Sequence, residues 1–307
     1  MNRLEDLRQT LDSYAAGDSL PDQVIVVDQT PEHPELIKAL VLSYADRFPV
    51  EYVYQATPSI TAARNNGMKH AAHRVLLFSD DDITVGPETL SNVRSLMADR
   101  QLAMLGGLDR NMEVSRGRLG YLFCKKSWKK RDMGHVTSSM LGVFPRLPLQ
   151  GSCPTEWAMG FFFAVRFELV ERWGLHFDEK LTSYAYAEDL DFTHLYYRRA
   201  IAEGMRCEMS EGVQVWHRVS RAARTPGYKH TMMYVLNRYY LSYKHFPKAP
   251  GRRLALEWSL LGDLALRTLK KQAPGDLAAA MRFRRRVNAK LRRGQLDPDW
   301  YQPPEKK

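Results

Sequence analysis

Apolar residues in the first hundred positions alternate between two periods. Gln23 to Asp28 (QVIVVD) and Val75 to Ser79 (VLLFS) are short continuous apolar runs, as expected of strands buried on both faces, and Glu51 to Tyr54 is a shorter one. Between them, Glu35 to Arg47 and Ser59 to Ala72 carry apolar residues at helical spacing, the second with Ser59 or Thr61 near its start. Pro87 followed by Glu88 opens a further helix to about Asp99, and Leu102 to Leu105 is extended again. Strand and helix alternation predicts an α/β fold, with a mainly parallel sheet flanked by helices on both faces. Such sheets hold ligands at the carboxyl ends of their strands.

The second half reads differently. Gly106 to Pro154 is rich in basic residues, Gly and Ser with weak periodicity, and predicts a long, partly mobile connection. A strand at Phe161 to Val165, a helix beginning near Glu188 and a strand at Val213 to His217 follow. From Tyr228 onward the period is helical, broken at Pro247 to Gly251 and around Pro274. The pattern divides the chain into an α/β part, 1–225, and a helical extension, 226–307.

Composition narrows the compartment and the partners. The 307 residues, 44% hydrophobic, suffice for one large core with an appendage or for two domains. Cys124, Cys153 and Cys207 are far apart and form no CxxC pair, which argues against a disulfide framework or a zinc site and suits a reducing cytoplasm. Apolar segments such as Trp157 to Val165 are too short for a membrane span, and no basic-then-apolar leader opens the chain.

Of the net charge of +10, residues 251–307 supply 14 Lys and Arg against 6 Asp and Glu, leaving 31 against 29 elsewhere. The basicity belongs to a tail. Within it, Leu254, Trp258, Leu261, Ala265 and Leu269 recur at helical spacing, and MRFRRRVNAKLRR packs seven basic residues into thirteen. An apolar stripe beside basic residues suits either a first helix packed on the α/β part with a solvated second one, or peripheral attachment of residues 252–293 to an anionic membrane, the outcome expected if the substrate is lipid-linked. Nucleic acid is not expected, because Phe283 is the one aromatic interleaved in the basic stretch and no nucleic-acid module is recognisable.

The chemistry concentrates at strand ends. Asp80, Asp81 and Asp82 follow VLLFS, and Asp28 ends QVIVVD. Adjacent like charges are tolerable in a solvated turn, or where a cation neutralises them. Asp80 and Asp82 point the same way along extended backbone, so one can bind a metal while the other reaches a ribose or a metal-bound water. Glu188-Asp189 reads either as an acidic first helical turn or as a carboxylate base. His217 ends an alternating strand, VQVWH, where a structural histidine is the commoner outcome. DDDITV also fits the DxDxT pattern of haloacid-dehalogenase-like phosphatases, but 79 residues precede it and no GDxxxD-type segment follows. A noncatalytic binding module would leave the strand-end acids without a purpose.

Taken in order, Asp28, Ala63-Arg64-Asn65-Asn66-Gly67, Asp80-Asp81-Asp82, Glu156-Trp157-Ala158-Met159-Gly160, Phe177-Asp178-Glu179, Ala187-Glu188-Asp189-Leu190-Asp191, His217 and Asn237-Arg238-Tyr239 resemble family 2 glycosyltransferases of the GT-A fold. The likeness spans about residues 2–245. It implies a metal-dependent, inverting glycosyltransferase that moves a sugar from a nucleoside-diphosphate donor to a glycan or lipid-linked acceptor in cell-envelope or surface-polysaccharide assembly, at the cytoplasmic face of the membrane. Mg2+ or Mn2+ would be held by Asp82 with Asp80 and His217, and the donor by Asp28, Arg64, Asp80 and Asp81. Trp157 and Gly160 would lie beneath the reacting sugar, with core packing the other reading of Trp157. Asp189, beside Glu188, would be the catalytic base. Arg218, Arg221 and Arg224 form a basic loop suited to clamping diphosphate or to lying solvated. The usual first strand before an Asn-Arg pair is lacking, since the chain starts at Met1-Asn2-Arg3.

Overall fold

The computed structural model describes residues 3–112, 118–182, 185–218 and 227–302. The first half consists of α1 (Leu4–Ala15), β1 (Val24–Asp28), α2 (Pro34–Leu42), β2 (Val50–Tyr54), α3 (Ile60–Met68), β3 (Val75–Ser79), β4 (Ile83–Val85), α4 (Thr89–Met97) and β5 (Leu102–Asp109); it follows the predicted alternation except for α1 and β4, which the sequence pattern did not mark. Ser59 caps α3, its Oγ accepting the Ala62 amide at 3.3 Å, which satisfies a donor that the first helical turn leaves unpaired.

The stretch expected to be a loose connection is ordered where it is described. It contains α5 (Leu119–Leu122), a small hairpin of β6 (His135–Val136) and β7 (Gly142–Val143), and β8 (Ser152–Pro154). Buried polar groups hold it in place of an apolar stripe: Glu156 accepts from the Val136 amide at 2.9 Å and pairs with Lys130, and Thr137 and Ser139 are both buried. Periodicity therefore carried no sign of it.

The remaining elements are β9 (Phe162–Arg166), α6 (Phe167–Arg172), α7 (Glu188–Ala202), β10 (Arg206–His217), α8 (Gly227–His245), α9 (Pro250–Leu269) and α10 (Pro274–Arg292). Strand β10 is longer than its alternating end suggested, because the register shifts between Met209 and Gln214, where Ser-Glu-Gly interrupts the apolar period.

The main sheet has the order β3-β9-β5-β10-β4, with β8 also on β10. It is a mixed sheet flanked by helices, as the fold class implies, with antiparallel pairs more numerous than the single parallel pair β5/β10. The reason is that β9 arrives from the long excursion after β5 and inserts in reverse between β3 and β5. Strands β3, β5 and β10 still run the same way, so the residues after Ser79, the end of β5 and His217 share one sheet edge with the lead-in to β9. β1 and β2 form a separate parallel pair. One backbone edge of β1 and one of β3 are unpaired among the described residues, and both strands line a single cleft of about 1760 Å³.

Three apolar clusters fill the interior. One packs α1, α2 and α4 against the sheet, and another stacks Phe78, Phe163, Phe177 and Phe192 between sheet and α7. The third joins the helical extension to the α/β part, uniting Leu236, Leu260, Leu277 and Leu291 with Val136, Leu181 and Leu190. Burial of these side chains contributes about 1.5–3 kcal/mol each, so the extension is fixed to the α/β part by a shared core.

Candidate active site

Arg64 is the centre of the strand-end cluster. From α3 its Nη1 donates to Glu188 Oε1 at 2.8 Å, and its Nη2 to Asp80 Oδ1 at 3.2 Å and to the Gly160 carbonyl at 2.9 Å. Its guanidinium carbon lies 5.2 Å from the centre of the Phe177 ring. One buried cation thus joins the end of β3, the lead-in to β9 and the start of α7. Arginine suits this role because its planar fork reaches several acceptors at once.

The three consecutive aspartates each have a cationic partner. Asp80 faces Arg64; Asp81 pairs with Arg3 at 3.1 Å; Asp82 pairs with Arg3 at 2.8 Å and with His217 Nε2 at 3.2 Å. Burial raises Asp80 to about 6, with the charges of Asp81 and Asp82 adding to the shift and Arg64 opposing it. Burial raises Asp81 also, against the pull of Arg3. For His217 burial lowers the affinity for protons, but the hydrogen bond and charge of Asp82 outweigh it and the net shift is upward.

Asp80, Asp82 and His217 present one ligand atom each within 4.8 Å of one another. Two carboxylate oxygens and an imidazole nitrogen are a donor set suited to a divalent ion such as Mn2+, so these residues fit the metal that the sequence implied.

Glu188 and Asp189 open α7 after a distorted approach. Ala185 and Ala187 adopt left-handed φ values of 45° and 71°, which cost about 1–3 kcal/mol each in a residue with a Cβ. Asn237 of α8 secures the bend by donating to the Tyr186 carbonyl at 2.9 Å, and is itself held by Tyr301 at 2.7 Å. Asp189 Oδ2 accepts the Gly160 amide at 2.8 Å, and Oδ1 the Leu190 amide at 2.7 Å. Burial raises both carboxyls; for Glu188 the charge of Asp189 adds to the shift and Arg64 opposes it, while backbone amides and Arg64 hold Asp189 back.

Gly160 is tightly enclosed: a Cβ there would lie 2.8 Å from Arg64 Nη2 and 3.2 Å from the Asp189 Cβ. Only glycine lets β9's lead-in approach both groups. Asp28 lines the cleft and is 6% exposed; it accepts from the Thr30 amide and from the Tyr52 hydroxyl, each at 2.8 Å.

Two sequence expectations change. Trp157 is 3% exposed and packs in the core, its ring against Gly142 and edge-on to Phe144, with Nε1 donating to Val143 O at 3.2 Å; it offers no face to a sugar. Arg218 donates to the carbonyls of Ile83 at 2.9 Å and Asp6 at 2.7 Å, which fastens α1 to β4 and occupies the group expected to clamp diphosphate. Arg221 and Arg224 lie outside the described residues. Sequence reasoning missed Arg3 and Asn237 as positioning residues. Arg3 stands 79 positions from Asp82, and no periodic signal spans that distance.

The family model for glycosyl transferase family 2 matches residues 1–174. No curated protein matches the chain. Among solved structures, the mannosyltransferase PcManGT from Pyrobaculum calidifontis, in complex with GDP-Man and Mn2+, is similar at 16% identity, a TM-score of 0.53, and coverage of 98% of this chain and 82% of that one. TarS 1-349 of S. aureus is similar at 18% identity and a TM-score of 0.54, with 98% and 87% covered. TarS 1-349 in complex with UDP-GlcNAc gives 17% identity and a TM-score of 0.53, with 96% and 85% covered. These structural likenesses show a shared GT-A fold. A family match covering more than half of the chain, joined to a strand-end acid cluster in that fold, places this protein in glycosyl transferase family 2, as an enzyme of the glycosyltransferase class.

Proposed function

We propose that this enzyme transfers a sugar, with inversion, from a nucleoside-diphosphate donor to a hydroxyl of a glycan or lipid-linked acceptor in cell-envelope or surface-polysaccharide assembly. The observation that carries the reading is the linkage through Arg64 of a carboxylate-imidazole set, Asp80, Asp82 and His217, to a buried carboxylate pair, Glu188 and Asp189. The similar structures bound to GDP-Man with Mn2+ and to UDP-GlcNAc support donor and ion of these classes.

Asp28, on the cleft wall, and Asp80 with Asp81, at its end, hold the nucleoside part of the donor. A divalent cation at Asp80, Asp82 and His217 would supply positive charge for the diphosphate leaving group. Arg64 adds a fixed positive charge and keeps the two halves of the site in register. Asp189 takes the proton of the acceptor hydroxyl as it attacks; its backbone hydrogen bonds aim the carboxylate and leave further lone pairs free. A single displacement with the base on the acceptor side inverts the anomeric centre. Glu188 buttresses Arg64, and burial keeps the Asp189 proton affinity above that of an ordinary aspartate.

The test is release of nucleoside diphosphate from a panel of nucleotide sugars with Mn2+ or Mg2+, with the product anomer read by NMR. Asp82→Ala is expected to weaken metal and donor binding together by about tenfold or more. Phosphate-ester cleavage without diphosphate release would instead favour the phosphatase reading of DDDITV, and a retained anomer would remove the inverting assignment. For the lipid-linked acceptor the supporting feature is peripheral attachment through residues 252–293, within which α10 buries its apolar stripe (Leu277, Met281, Val287, Leu291) and leaves α9 as the exposed apolar helix.

A further inference from the structure

Two stretches far apart in sequence share one outer face. On α9 the row Leu254, Trp258, Leu261, Ala265 and Leu269 is exposed along its length, while Leu256, Ser259, Leu260 and Gly262 turn inward. Residues 118–131 lie against this helix. Trp258 Nε1 donates to the Leu122 carbonyl at 2.8 Å, the rings of Phe123 and Trp258 are 5.6 Å apart, and Lys125 pairs with Asp263. A Cβ on Gly262 would sit 2.3 Å from the Phe123 ring, so a glycine here lets the segment seat directly on the helix. Leu119, Leu122 and Trp128 on the segment are 52%, 60% and 59% exposed.

The charge around this apolar face is predominantly basic, with Asp132, paired to Arg131, an acid at its border. Residues 118–131 (RLGYLFCKKSWKKR) hold six Lys and Arg and no acid, and Arg118, Lys129, Arg131, Lys270 and Lys271 are exposed. The acids of α9 are already engaged, Asp263 with Lys125 and Glu257 with Arg284. Leucines and tryptophans rimmed by lysine and arginine suit the boundary between lipid headgroups and acyl chains. Basic residues near an anionic leaflet are attracted to it, and the attraction is screened by salt. A second copy of this chain is a poor occupant, because it would bring two wholly basic segments together.

We infer that α9 and residues 118–131 form one docking face for an anionic phospholipid bilayer, with Leu119, Leu122, Trp128, Leu254, Trp258 and Leu261 entering the interface. No helix among the described residues is long and apolar enough to cross a membrane; the attachment inferred is of a surface face to the bilayer interface. The inference deepens the reading that the acceptor is lipid-linked, yet its test needs neither donor nor acceptor. Failure of one therefore leaves the other standing.

The test is flotation of the full chain with vesicles of phosphatidylcholine alone or with phosphatidylglycerol, at low and high salt. Binding is expected with the anionic vesicles and is expected to fall with salt. Leu122→Asp with Trp128→Asp, and separately Leu254→Asp with Leu261→Asp, should each weaken partitioning by at least about tenfold, while Arg285→Glu with Arg286→Glu on α10 should weaken it less. Brominated acyl chains offer a readout free of folding defects: they should quench the native protein's fluorescence, and Trp128→Phe with Trp258→Phe should remove that quenching. Full-length protein that stays with the aqueous phase at low salt, or binding that survives both aspartate pairs, overturns the inference. Loss of a dimer on gel filtration with the same pairs would assign the face to a second copy instead.

Discussion

Two clusters of buried charge stand along helix α7, and they are built to opposite rules. At its start, Glu188 and Asp189 join Asp80, Asp81 and Asp82, five carboxyls that face Arg3, Arg64 and His217. Half a turn further on, Asp191 receives Lys244 at 2.6 Å and His245 at 2.7 Å, and Asp178 shares the same lysine at 2.8 Å. The first cluster has more acid than base, and burial drives Asp80, Glu188 and Asp189 upward. In the second, burial of Asp178 is outweighed by Lys244 and Tyr240, and its carboxyl is held below the usual range. A balanced cluster fastens α7 to α8, whereas an acid-rich one keeps carboxylates to spare, as a site that could hold a divalent cation needs. Proximity of charges is common to both, and the imbalance marks the site.

The comparison is broken most directly at Asp189. Asp189→Asn is expected to lower kcat by about two to four orders of magnitude while donor affinity, read by calorimetry, changes little. Next in size, Asp191→Ala should destabilise the fold by about 3–5 kcal/mol in denaturant titration, because it strands His245 and leaves Lys244 half paired, yet donor affinity of the folded fraction should persist. Similar stability losses from both substitutions would erase the distinction between the clusters.

The pH dependence sharpens it. Protonation of Asp80 competes with the metal, so Mn2+ affinity should fall by up to about tenfold per pH unit below about 6, and a flat affinity between pH 7 and about 5 would remove Asp80 from the ion. The smallest effect expected is a gain. Glu188→Gln keeps an acceptor for Arg64 while removing a carboxyl that burial and Asp189 raise to about 8, so at neutral pH without metal its Tm should exceed that of the native chain by a few degrees. A carboxyl raised in the folded state contributes stability at low pH that is lost as pH rises through its folded value. The advantage of Glu188→Gln should therefore shrink on acidification. For Asp178, lowered in the fold, the sign reverses: its contribution is present above the ordinary carboxylate value and lost as pH falls.

Much of this was readable from the chain itself. The alternation before residue 109 located β1, β2, β3 and β5 with α2, α3 and α4 because each buries a continuous run or stripe, and the acid triplet stood out because adjacent like charges are costly without a cation; α1 and the three-residue β4 went unread. Residues 118–154 were opaque, since Glu156, Thr137 and Ser139 hold that region through hydrogen bonds, which leave no period. Trp157 shows a limit of another kind: an aromatic beside a glycine suits either a sugar face or a core, and only packing against Gly142 and Phe144 decides.

What the sequence determined by itself was local and additive: element type, strand-end acids, family, the amphipathic stripe of α9 and the basic run of α10. The tertiary structure decided which neighbour each group received. These two helices have opposite fates, α10 burying its stripe against α8 while α9 keeps its outward row open, because the covering surface comes from elsewhere in the chain. In the same way Arg64 became the hub of the site when β9 inserted in reverse and brought Gly160 and α7 to the end of β3. Electrostatic and apolar energies depend on distance in space, and separations in sequence of 79 for Arg3 and Asp82 or 124 for Arg64 and Glu188 are closed only by the fold.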